Sequence, residues 1–112
     1  LKFVELSDEI GVPLVFALAP SMVQVQDELW SSFISYTGGN TEDFIRTLPN
    51  DRLMQFAENN KLQMIDLLPI LRLEARKGKI LYNPKEQHWT NEGNRVVARS
   101  LLEYLETSSL IK

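Results

Sequence analysis

No cysteine occurs among the 112 residues, which excludes disulfides and thiolate metal sites and leaves the redox compartment open. Histidine is nearly as scarce. His88 is the only one, so a histidine-rich metal site is excluded as well. No cofactor and no metal is expected. No apolar run approaches the length of a membrane span. No stretch reads as a signal peptide, which excludes little, because the chain opens on Leu1 inside a helical pattern. Basic residues are short in the first half: residues 1–50 carry two Lys or Arg against seven Asp or Glu, and residues 51–112 carry ten against eight. With a net charge of −3 and no basic face interleaved with aromatics, a nucleic-acid partner has no electrostatic support. Internal repeats and low-complexity tracts are also missing. What is present, 44% hydrophobic and 24% charged, amounts to one ordinary domain at most.

The first eleven residues, LKFVELSDEIG, place Phe3, Leu6 and Ile10 at helical spacing and close on Gly11, a natural residue just past a helix end. They read as the tail of a longer helix, and the chain as cut from a larger protein. Val12 to Ala19 is almost continuously apolar and lies between Gly11 and Pro20, as expected of a strand buried on both faces of a parallel sheet. Pro20 and Ser21 then fall at the carboxyl end of that strand, where open α/β sheets form their ligand crevice. Ser21 reads as the N-cap of a helix over Met22 to Tyr36; as a nucleophile it lacks the small-residue context of a sharp turn. That helix directs Val25, Leu29, Phe33 and Tyr36 to the core, with Met22 and Trp30 nearby.

Thr37 to Asn40 (TGGN) is a turn. No strand leads into it and no Lys-Ser/Thr follows, so a phosphate loop is not indicated. Thr41 caps a short helical turn that Pro49 ends, and Asn50 caps a further helix with Leu53, Phe56 and Ala57 inward. Gln63 to Leu67 is the second strand. Asp66, near its carboxyl end, either bonds loop amides or serves a site there. A helix starting at Pro69 stops at Gly78, and Arg72, Arg76, Lys77 and Lys79 complement its carboxyl-terminal dipole. Ile80 to Tyr82 pairs briefly. The order of elements predicts an α/β fold with parallel strands.

The stretch with chemistry in it is LYNPKEQHWTNEGNRVVAR, residues 81–99. Glu86 precedes His88 by two positions and Trp89 follows it. Thr90 is a helix N-cap with Asn91 and Glu92 in the first turn, and an apolar stripe runs through Val97, Leu101, Tyr104 and Leu105. A histidine beside a carboxylate on a short loop is what general acid–base catalysis requires. The carboxylate holds the ring tautomer and stabilises the imidazolium. A polar surface histidine is the ordinary alternative.

Taken together, these pieces resemble the carboxyl-terminal half of an SGNH/GDSL-type hydrolase. The resemblance rests on Glu86-Gln87-His88-Trp89-Thr90-Asn91-Glu92-Gly93 with Val96, Val97 and Ala98 behind it. It rests also on VFALAP, a helix with ELW, LPNDRL, IDLLP and LYNP in that order, and so covers nearly all of the chain. It implies part of a three-layer (αβα) flavodoxin-like parallel sheet and a serine esterase or O-acyltransferase. Substrates would be ester-linked acyl groups, including acetyl groups on carbohydrate. His88 would pass the serine's proton to the leaving alcohol, Glu86 would orient the ring, and Trp89 would line the wall or pack under the loop, with Pro20, Ser21 and Asp66 as further wall residues. The expected parent protein is extracytoplasmic or membrane-associated.

Two departures stand out. The family's acid is usually Asp, here Glu86. Its Gly-Asp-Ser nucleophile block and its oxyanion Gly and Asn have no match, since Gly38, Gly39 and Asn40 come too late in the order. The chain alone is therefore expected to be inactive, with the nucleophile in a missing amino-terminal half. A non-catalytic α/β interaction or carbohydrate-binding domain, or an unrelated small module, fits the same departures. A strand apolar on both faces, lacking a neighbour on one side, is also expected to drive a homodimer of the fragment or recruit the missing half.

Overall fold

Two short parallel strands organise the chain. In the computed structural model, which describes residues 1–111, β1 (Val15–Leu18) pairs with β2 (Gln63–Asp66) in register from Val15 opposite Gln63 to Leu18 opposite Asp66. Around them stand six helices: α1 (Lys2–Ile10), α2 (Met22–Val25), α3 (Asp27–Thr37), α4 (Leu48–Asn59), α5 (Leu68–Arg76) and α6 (Asn91–Thr107). The strands are parallel because helical connections carry the chain from the end of one to the start of the next. The architecture is mixed α/β.

The core lies beyond the carboxyl ends of the strands. Met22 and Val25 of α2, Leu67, Leu68 and Leu71 at the start of α5, Leu81 and Tyr82, and Val96 and Val97 of α6 form one buried cluster. Each of the leucines contributes about 2 kcal/mol on burial. The helix boundaries here follow local chemistry. Pro69 sits in the first turn of α5, which starts one residue before the expected Pro69, and Gly78 turns the chain at φ 89. Thr90 caps α6 by accepting from the Gly93 N–H at 3.1 Å.

Elsewhere the structure departs from the sequence reading. The first strand is four residues long rather than eight, and it is not buried on both faces: Ala17 is exposed and its neighbours half-buried. Val12 and Pro13 stay outside it, Pro13 having no N–H to give to a ladder. Helix α1 forms and closes on Gly11 at φ 67, but buries no residue. Its half-buried Val4 and Ser7 face the amino ends of the strands, while Phe3 remains 71% exposed and Leu6 and Ile10 are also exposed.

The helix expected over Met22 to Tyr36 is two helices. Ser21 closes a capping box with Gln24, and Gln26 is extended (φ −91, ψ 122) before Asp27 starts again. Periodicity cannot register this break, because the apolar spacing continues across it. Tyr36 is exposed and Ile34 is the buried residue of α3, while Phe33 packs outside the core against Trp30 and Phe44 at ring separations of 5.7 and 5.9 Å. Asn40, not Thr41, caps the short 3-10 turn Thr41–Asp43. Pro49 lies in the first turn of α4 instead of ending a helix, and Asn50 is not its cap. Of the residues expected inward on α4, Ala57 is buried whereas Leu53 and Phe56 are exposed.

The surface totals 8150 Å² for a mass of 12.9 kDa. A compact monomer of this mass exposes about 6,300 Å², so roughly 1,800 Å² is in excess.

Candidate functional site

The loop that carries His88 is built by its backbone. Tyr82 bridges Trp89 in antiparallel fashion, the Thr90 N–H donates to the Leu81 carbonyl at 2.9 Å, and the Asn83 N–H donates to the His88 carbonyl at 2.8 Å. Asn83 also closes the turn from within. Its carbonyl accepts from Gln87 N at 2.7 Å and its side-chain oxygen from Lys85 N at 3.0 Å. The local fold is thus a tight hairpin with its tip at Pro84 to Gln87.

Two contacts fix this hairpin to the rest of the molecule. The Tyr82 hydroxyl donates to the Pro20 carbonyl at 2.8 Å, tying the loop to the end of β1 across 62 residues of chain. Burial raises the Tyr82 phenol's pKa, with the Trp89 indole acting the other way. The first turn of α6 presses on the base of the hairpin at Gly93. A Cβ there would stand 2.2 Å from the Leu81 carbonyl oxygen and 3.1 Å from Trp89 Cβ, so only glycine permits the approach.

His88 lines a cleft of about 410 Å³ at the carboxyl edge of the sheet, together with Ala19, Pro20, Tyr82, Gln87, Trp89 and Asn94. The imidazole is exposed, so it can exchange a proton with a group bound in the cleft. Trp89 is half-buried and packs against the core cluster, so its ring serves as both packing and wall. Gln87 and Asn94 add amide donors and acceptors. Asn94 was legible in principle: four residues after the Thr90 cap, it lies on the helix face turned back toward the loop. The same holds for the pinning role of Tyr82, whose phenol in an apolar stretch calls for a buried acceptor.

Glu86 does not join His88. It is exposed at the hairpin tip, and among the described residues no hydrogen bond or ion pair links its carboxylate to the ring. Gln87 separates them with a left-handed turn at φ 58, which spoils the simple two-residue reach expected from their spacing.

The other candidates are occupied elsewhere. Ser21 is exposed, and its hydroxyl caps α2 by accepting from Gln24 N at 3.3 Å. Asp66 Oδ1 accepts from Asn50 Nδ2 at 2.6 Å and from Leu68 N at 3.0 Å, so it starts α5 and holds a buried asparagine. Asn50 in turn accepts from Gln24 Nε2 at 3.0 Å, linking α2, α4 and β2. Neither Ser21 nor Asp66 lines the His88 cleft. A larger open recess of about 570 Å³ lies between α4 and β2, lined by Met54, Leu62 and Met64 among others, but it brings no catalytic set together.

Comparison of the chain with protein-family models, with curated proteins and with solved structures finds no match.

Proposed function

We propose that this chain is the carboxyl-terminal part of an SGNH/GDSL-like serine esterase or O-acyltransferase, in a three-layer flavodoxin-like domain, and that it supplies the catalytic histidine. The observation that carries the reading is His88 on a pinned hairpin, in a cleft with Pro20 and Trp89 at the carboxyl edge of a parallel sheet. That edge is where α/β folds place ligands. In this reading an upstream serine attacks the ester carbonyl, His88 accepts its proton and returns it to the leaving alcohol, and ester-linked acyl groups, acetylated carbohydrate among them, are the substrates. Glu86 orients the ring only once the hairpin tip closes, a change that a covering segment or substrate has to drive.

The test uses the full-length protein with p-nitrophenyl acetate and acetylated xylan. Replacing His88→Ala should lower turnover about a thousandfold or more while leaving the melting temperature nearly unchanged. The 112-residue chain alone should show no turnover and no labelling by a fluorophosphonate. Equal turnover by wild type and His88→Ala overturns the proposal.

A second reading, a non-catalytic interaction or carbohydrate-binding domain, is favoured by the separation of Glu86 from His88. Binding of xylan oligosaccharides by the full-length protein, with no turnover, distinguishes it.

A further inference from the structure

Asp27, the first residue of α3, receives three guanidinium groups. Arg46 Nη1 donates to its Oδ1 at 2.5 Å, Arg72 Nη2 to the same oxygen at 3.5 Å, and Arg76 Nε to Oδ2 at 3.2 Å. The cations converge from separate places. Arg46 precedes α4, and Arg72 and Arg76 stand on successive turns of α5. One carboxylate does not balance three guanidiniums, and most of their N–H donors have no protein acceptor among the described residues. Neighbouring acids do not close the gap. Glu74 is held by Lys77 and Lys79, and Glu92 by Lys79 and Arg95. Glu28, exposed beside Asp27, offsets only one of the two surplus charges.

The group is fixed before any ligand arrives. The Arg46 side chain is only 12% exposed and its guanidinium lies 5.2 Å from the Trp30 ring centroid. Its backbone oxygen accepts from Gln24 Nε2 at 3.3 Å. The Arg72 side chain is 24% exposed, and its Nε is buried with no acceptor among the described residues. Burial, then repulsion by Arg46 and Arg76, lowers the Arg72 pKa. A staple between α3 and α5 needs one cation for its one carboxylate. Additional guanidiniums packed beside it are unfavourable unless an anion offsets them. The start of α3 adds to the positive field, since Gln26 provides no side-chain cap for its free N–H groups.

We infer that Arg46, Arg72 and Arg76, grouped around Asp27, form a binding site for a tetrahedral oxyanion, a phosphate or sulfate group. Such a group carries negative charge that offsets the surplus, and it accepts paired N–H bonds from planar guanidiniums. A recess of about 290 Å³, lined by Gln26, Asp27, Glu28, Arg76 and Lys79 among others, opens beside the cluster and leaves room for a sugar that bears the group. This site is separate from the His88 cleft and does not depend on the esterase reading.

The experiment is thermal unfolding of the full chain in sodium phosphate, sodium sulfate or sodium chloride at matched ionic strength, with NMR of the arginine Nε–Hε signals. Phosphate and sulfate should raise the melting temperature by several degrees, saturating in the low millimolar range, and shift the Arg72 signal. General salting effects keep growing without saturation. Arg72→Gln should abolish the response. Arg76→Gln, at a 59% exposed side chain, should weaken it at least fivefold and keeps the test valid whether or not Arg72→Gln folds. Glucose 6-phosphate binding more tightly than inorganic phosphate places the group on a sugar, and equal binding points to the free ion. Either outcome supports the site. Coincident curves in phosphate and chloride, a response that never saturates, or an undiminished response in Arg76→Gln overturns it.

Discussion

Residues 1–19 and residues 67–97 are both rich in large apolar side chains, yet they end up differently. Leu71 is 0% exposed and Leu81 is 1%, whereas Phe3 is 71% and Ile10 is 61%. Helix α5, which carries Leu71, and helix α1, which carries Phe3 and Ile10, are each nine residues long and neither has a side-chain N-cap. The difference is in what faces them. Helix α5 meets α2 and α6, and the hairpin of His88 packs over the same cluster. Helix α1 turns Val4 and Ser7 to the strand ends and offers its apolar stripe to solvent. An amphipathic pattern therefore specifies a face to be covered without naming the cover. The free edge of β1 and the surface excess fall under the same heading, and self-association or a covering segment is the proposed answer.

Truncating one apolar side chain in each region should separate the two. Leu71→Ala removes a fully enclosed side chain and should cost about 3 kcal/mol of unfolding free energy by urea titration. Leu6→Ala, half exposed on α1, should stay within about 0.5 kcal/mol in the monomeric chain. Comparable losses at both positions would mean that α1 is packed against something in solution.

Association addresses that point directly. At micromolar concentration, size exclusion with light scattering should give a mass above the 12.9 kDa of one chain. The double replacement of Phe3→Ser and Ile10→Ser should return it to that value. A wild-type monomer whose amides along Val15 to Leu18 exchange slowly would show that β1 and α1 need no cover.

Acid titration gives the smallest effect. Bonds from Arg46 and then Arg76 hold the Asp27 carboxyl at about 2, and bonds from Lys77 and then Lys79 hold Glu74 at about 2. Both values lie below those of the unfolded chain, so these groups stabilise fully above about pH 5 and lose that contribution as pH falls toward 2. Urea midpoints should decline over that window, and Asp27→Asn should flatten part of the decline. A slope unchanged in Asp27→Asn would remove the cluster from the stability of the fold. Because Asp27 ties α3 to α5 and Glu74 ties α5 to the lysines after it, acid should loosen the packed region and leave α1 indifferent.

Much of the local structure was legible in the residues. Gly11 and Gly38 close helices in the left-handed region, Ser21 and Thr90 cap them, and Asp66 bonds the Leu68 amide, each a short-range event set by side-chain chemistry. The hairpin was visible only as a brief pairing near Tyr82. Its Asn83 closure and the choice of Pro20 as the acceptor for Tyr82 are not written in the spacing, because one depends on a turn geometry and the other spans 62 residues. The cleft was half legible: His88, Trp89 and Pro20 meet in it, but Glu86, Ser21 and Asp66 do not line it.

The order of residues thus carries the helix ends marked by Gly11, Ser21 and Thr90, and the parallel run of the two strands. Capping, φ restriction and apolar periodicity act within a few residues and are written locally. Only the tertiary structure decided that Gln26 breaks a helix, that Asn50 is buried between Asp66 and Gln24, that Gln87 turns Glu86 from His88, and that three arginines share Asp27. Each of these depends on which distant groups arrive alongside or on a backbone turn that neighbouring side chains permit without requiring, and no spacing along the chain records either.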